Sequence, residues 1–244
     1  MTNVRDIPAG PALANARESV VESAVLERPS TGDAIAQELA RQIFSGSIPV
    51  GTRLREVELA EAFGVSRQSL RAGLAQLVHE GLLHRAPHRG VWVPKLTAED
   101  LDDVYRVRLL LEGEAARFIT LHPERISVLD EALDRLRRIP DDASWGTTME
   151  SHLAFHLSLV DSVGSPRLSR AYRQIWSEAW LGLVASRDNA VQATPRGQAE
   201  SHAELIDVFR QGDPERSAAA VHQHMQSGLE AALEVERSAS NLEH

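Results

Sequence analysis

The chain has 244 residues, 43% of them hydrophobic and 25% charged, with a formal net charge of -9. That is enough for one large or two modest domains with true cores, and the lack of any cysteine excludes disulfides and thiolate metal sites. No apolar run approaches the roughly 20 residues that span a bilayer, and the first residues carry acid and proline in place of a signal-peptide core, so a cytoplasmic protein with no membrane partner is expected.

Residues 1–30 have no sustained apolar period and include Pro8, Pro11 and Pro29, which predicts a flexible tail with a transient helix from Leu13 to Leu26. A helix is then predicted over 33–44, with Ile35, Leu39, Ile43 and Phe44 on one side. Gly46, Pro49 and Gly51 break it.

The stretch LREVELAEAFGVSRQSLRAGLAQLVHEGLLHRAPHRGVWV follows, from Leu54. Val57, Leu59, Ala60 and Phe63 give a short helix an apolar side, and Gly64 supplies a turn residue that tolerates positive φ. Val65 packs inward, and the Ser66 hydroxyl is placed to cap the next helix. There Leu70, Leu74, Leu77 and Val78 recur at helical spacing, so Arg67, Gln68, Ser69 and Arg71 gather near an exposed N-terminus. After Gly81, Leu82–Arg85 and Gly90–Val93 are predicted as two strands joined through Ala86, Pro87, His88 and Arg89. An arginine fork suits phosphates and the O6/N7 edge of guanine, and a helix N-terminus adds backbone amides. This is the pattern of a winged helix-turn-helix, with Arg55, Ser66, Arg67, Gln68, Ser69 and Arg71 on the helices and Arg85, His88, Arg89 and Gly90 on the wing as the candidate DNA-contacting residues.

Net charge divides unevenly. Residues 31–95 hold eight Lys/Arg against six acids, a local +2, so the remainder carries -11. From Ser66 to Lys95 the ratio is five to one. Phosphate electrostatics dominate non-specific binding, so an acidic body weakens it and such a protein depends on two-fold contacts.

Pro94 and Lys95 close the wing, and Thr97 with Asp100 matches a capping box. Beyond it no strand is predicted; helices are expected near 97–121, 124–138, 147–162, 166–187, 197–211 and 214–236, with stops at Gly164 to Pro166 and at Gly212, Asp213 and Pro214. The expected fold is thus mainly α: a winged helix-turn-helix over 31–95 and an all-α bundle of about six helices over 97–236. Residues 237–244 are expected to be a disordered tail ending in a tag remnant.

Nine histidines remain once His244 is set aside. His152 and His156 are four apart on one predicted helix and can share a metal; His202 and His224 lie on two later helices, with His222 a competitor for His224. An HxxxH pair also raises a metal-dependent hydrolase, but Leu153 stands where that motif needs a glutamate base. No nucleophile elbow, Walker loop or dinucleotide fingerprint is present, and no catalytic residue is assigned.

Together these residues resemble the GntR superfamily of bacterial transcription regulators, in the subfamily with an FCD (FadR C-terminal) domain. The resemblance rests on FSGSIPVGTRLREVELAEAFGVSRQSLR, YRVRLLLEGEAAR, HLAFH, SHAELIDVFRQGDPERS and HQHM, and covers about residues 31–236. Ser69 departs from a frequent proline, Gly73 from the usual alanine and Ser165 from a common asparagine. A helical glycine costs about 0.5 to 1 kcal/mol against alanine, which predicts a softer recognition helix. The resemblance implies a homodimeric regulator, repression being the commoner mode, that reads a palindromic operator on double-stranded DNA. It implies a metal held by His152, His156, His202 and His224, with histidine at 152 where the family has an acid. Four neutral imidazoles favour Zn, Ni or Cu over Mg or Ca. It further implies a small anionic carboxylate effector gripped by Arg108, with Glu112 structural. The remaining alternative is a helical domain that only dimerises.

Overall fold

A computed structural model of the protein describes residues 30–186 and 194–242. Of the expected N-terminal tail only Ser30 is included, so the transient helix at Leu13–Leu26 lies outside the described residues, as do the last two residues. Ser30 caps α1 (Thr31–Phe44) in a reciprocal box with Asp33, and α1 buries Ile35, Ala36, Leu39 and Ile43. Next come β1 (Arg53–Leu54), α2 (Glu56–Phe63), α3 (Arg67–His79), β2 (His84–Ala86) and β3 (Gly90–Trp92).

The wing has three strands where the sequence predicts two, in the antiparallel order β1-β3-β2. Leu54 pairs with Val91 and Arg53 with Trp92; a two-residue strand is too short to carry a legible alternation. β2 begins at His84, two residues later than expected, because Leu82 and Leu83 turn into the core. The wing turn places His88 at φ 65, with Arg89 N donating to Ala86 O at 3.2 Å.

Gly73 has a packing role beyond the expected helix softening. A Cβ there would sit 2.8 Å from Gly32 O and 3.0 Å from Ile35 Cγ2, while one on Gly32 would meet Ala72 Cβ at 3.1 Å. The glycine therefore lets α1 and α3 cross closely.

The C-terminal unit comprises α4 (Ala98–Leu121), α5 (Ser127–Arg137), α6 (Trp145–Asp161), α7 (Pro166–Ser186), α8 (Pro195–Arg210) and α9 (Pro214–Leu242). The Thr97–Asp100 capping box forms. A single 3-10 turn at Pro123–Arg125 delays α5 by three residues against the predicted start. The last helix continues to Leu242, through residues expected as a tail, since no glycine or proline interrupts 229–242. No described helix is long and apolar enough to cross a membrane. The main core of the bundle gathers Ala116, Ile119, Leu129, Leu136, Phe155, Leu159, Tyr172, Ile206, Phe209 and Val221 from α4 through α9.

Contacts made by α7 help to join the units. Leu181 of α7 belongs to the core of the N-terminal unit, and the ring of Phe44, at the end of α1, lies 4.6 Å from that of Trp180 and 5.7 Å from that of Trp176.

Candidate nucleic-acid interface and metal centre

Ser66 Oγ accepts from Ser69 N at 3.0 Å and lies 2.9 Å from Ser69 Oγ, so both hydroxyls serve the cap of α3 and hold its first turn outward. Gly64, at φ 62, ends α2 and makes that turn possible. Arg67 and Gln68 project into solvent. Arg71 Nε donates to Glu56 Oε2 at 2.6 Å, Arg85 Nη2 lies 3.5 Å from Glu56 Oε1, and Arg55 Nη1 donates to Glu58 at 2.8 Å. His88 and Arg89 are exposed at the wing tip, and Gly90 opens β3 at φ 79. Helix N-terminus and wing therefore present one cationic edge. The role of Glu56 was not legible in the sequence: Glu56 and Arg71 are fifteen residues apart, a separation no local spacing rule covers.

The second constellation lies in the bundle. Histidines 152 and 156 come from α6, 202 from α8 and 224 from α9, and their ligand atoms all lie within 4.8 Å of one another. His222 is exposed and stays outside. His156 Nδ1 donates to Glu112 Oε2 at 2.6 Å, and His202 Nδ1 to Gln198 O at 2.6 Å. A carboxylate and a carbonyl only accept, so both Nε2 atoms of the neutral rings carry lone pairs, and these face each other at 3.4 Å. His224 Nδ1 lies 2.9 Å from Ser201 Oγ. His152 Nδ1 is buried without a partner.

Burial holds these rings neutral. It pushes His202 down to about 3, helped by His224, and His224 down to about 4. His152 and His156 are driven well below the usual histidine range, first by burial and then by the neighbouring His156 and Arg108 respectively. Neutral imidazoles are the ligand form. Four converging nitrogens, two with opposed lone pairs and one orphaned, fit a divalent transition ion: tetrahedral Zn–N bonds of about 2.0–2.1 Å set nitrogens some 3.3 Å apart.

Glu112 is fully buried and organises this centre. Its Oε1 accepts from Arg108 Nε at 2.9 Å and from the Tyr172 hydroxyl. Arg108 is thus an ion-pair partner within α4, stacked 5.1 Å from the Tyr105 ring, while its Nη2 remains buried and unpartnered. Glu112, Tyr172, Gln198 and Ser201 were not assigned to the site from sequence; the Arg108–Glu112 spacing of four was the one visible signal.

The family models match both regions. The model described as "Bacterial regulatory proteins, gntR family" matches residues 31–93 and that of the FCD domain residues 103–227. Among curated relatives, a probable D-xylose utilization operon transcriptional repressor of Paenarthrobacter nicotinovorans is 28% identical over 211 residues, 84% of this chain and 90% of that protein. The gluconate operon transcriptional repressor of Bacillus subtilis is 41% identical over 87 residues, 36% of this chain and 35% of that one. The solved structure of E. coli McbR/YncC matches in fold with a TM-score of 0.69 at 24% identity, over 84% of this chain and 98% of that one. The chain belongs to the gntR family of bacterial regulatory proteins, in the branch with an FCD domain, and is a DNA-binding transcription regulator, not an enzyme.

Proposed function

We propose that this regulator is a repressor that binds a palindromic operator as a homodimer and responds to a divalent transition metal, Zn or Ni, together with a small carboxylate. The observation that carries the metal is the opposed pair of Nε2 lone pairs, His156 and His202, at 3.4 Å: two neutral acceptors at that distance repel, and a cation between them relieves it. His152 and His224 complete the donor set, and the unpartnered Arg108 Nη2 supports an anion beside it. Dimerisation is supported by charge: a reader of local charge +2 on an acidic body gains from pairing two copies on one duplex. Repression follows the names of the D-xylose and gluconate relatives.

A path between the sites exists in α7. Tyr172, Trp176 and Trp180 are spaced by four, so one helix face touches Glu112 at one end and Phe44 at the other. A ligand that changes the packing of that seam would shift the reader with it.

The test uses the tag-free full chain: metal content by mass spectrometry, subunit mass by light scattering, and anisotropy of a duplex selected from a randomised pool. Each is run with and without Zn, Ni and a panel of small carboxylates. One metal per chain, a dimer on a palindrome and an affinity altered by the ligand are expected. A metal-free monomer, or binding indifferent to both metal and carboxylate, refutes the reading and leaves a helical domain that only packs.

A further inference from the structure

One carboxylate ties the recognition helix to the wing. Glu56, in the first turn of α2, takes Arg71 of α3 on Oε2 and Arg85 of β2 on Oε1. Its side chain is 29% exposed, against 66% and 43% for the two arginines. Arg67 and Arg89, both exposed, have no ion pair among the described residues.

The way Arg71 is held matters. Its bond to Glu56 uses the Nε edge, which leaves both terminal nitrogens for a bidentate contact to guanine O6 and N7. A guanidinium fixed along one edge also loses the freedom to swing onto the nearest phosphate. Untethered, the same arginine would bind phosphates of any sequence and raise affinity everywhere.

We propose that Glu56 is a positioning residue of the DNA reader: it aims Arg71 at a base edge, draws Arg85 of the wing to the same point, and so sets the ratio of operator to non-operator binding. The inference rests on α3 and the wing being the DNA-contacting surface. It predicts that an acid placed against polyanionic DNA weakens total affinity and improves discrimination.

The test compares a duplex selected by the wild-type protein from a randomised pool with a scrambled duplex, by anisotropy over a salt series. Glu56→Gln is expected to bind the scrambled duplex more tightly. Its slope of log affinity on log salt steepens by about 0.9 for each arginine released to a phosphate. The operator to scrambled ratio falls roughly tenfold, the order of one lost bidentate base contact. Arg71→Lys keeps the charge but offers no second edge, and is expected to lose the same discrimination. With both Arg71 and Arg85 replaced by alanine, Glu56→Gln should no longer change the ratio. An unchanged ratio in Glu56→Gln, an equal loss on both duplexes, or a change in ratio that persists without the two arginines overturns the proposal. Failure of the wild-type protein to enrich any sequence overturns the DNA-contacting surface itself.

Discussion

His156 Nδ1 and Glu112 Oε2 meet at 2.6 Å with both side chains closed to solvent. That contact fixes which nitrogen of His156 faces the other three histidines. The same carboxylate holds Arg108 and Tyr172, so one buried acid orients a histidine, an arginine and a helix.

Replacing this acid should therefore be felt at the metal first. Glu112→Gln is expected to weaken metal affinity about 10- to 100-fold, the usual cost of losing a partner that orients a ligand. Chelator competition measures it. Glu112→Ala leaves the Arg108 charge buried and unpaired and should cost about 3–5 kcal/mol of stability by urea unfolding. Equal metal affinity in Glu112→Gln and the wild type would remove Glu112 from the centre.

At position 152 the ring has no orienting partner, since His152 Nδ1 is unbonded. His152→Asp adds a negative charge and a hard oxygen donor. The expected outcome is a shift in preference from Ni and Zn toward Mn, read by calorimetric titration of each ion into metal-free protein. His156→Ala and His202→Ala should each abolish stoichiometric binding. An unaltered metal preference in His152→Asp would mean that residue 152 is not a ligand.

Acid should destabilise the metal-free protein. The four histidines have folded values depressed below 6.5, His202 to about 3 and His224 to about 4. Between those values and about 6.5 the unfolded chain binds more protons, so stability rises with pH. The full contribution is present above about 6.5 and is lost as pH falls through about 4 toward 3. Melting temperatures from pH 8 to pH 5 should fall steadily in the metal-free protein, and less steeply in His202→Phe, which has one of these titrating rings fewer. Equal slopes would refute the assignment.

The crossing of α1 and α3 supplies a prediction opposite to helix propensity. Alanine normally stabilises a helix by about 0.8–1.0 kcal/mol over glycine, yet a Cβ at Gly73 would press on backbone oxygen at 2.8 Å. Overpacking typically costs about 1–3 kcal/mol, so Gly73→Ala should give a net loss and a lower urea midpoint. A gain would show that the two helices can part without penalty.

Much of this was legible along the chain because it is local. Ser66, Gly64 and the leucines of α3 act within a few residues of one another, and caps, turns and apolar periods follow from backbone chemistry that such short windows contain. The HxxxH pair on α6 was visible for the same reason. β1, by contrast, is two residues long and exists only through its pairing with β3, and the reason for Gly73 lies on another helix.

By itself the sequence determined a winged reader followed by a helical bundle, and named the four histidines through family resemblance. Only the tertiary structure decided that α6, α8 and α9 bring a nitrogen of each ring within 4.8 Å of the others, that Glu112 orients one of the rings, and that Glu56 holds Arg71. The physical reason is range. Helical period and capping are properties of neighbours in the chain, whereas a carboxylate meets its partners through the packing of separate elements, across separations of 44 residues for His156 and 15 for Arg71.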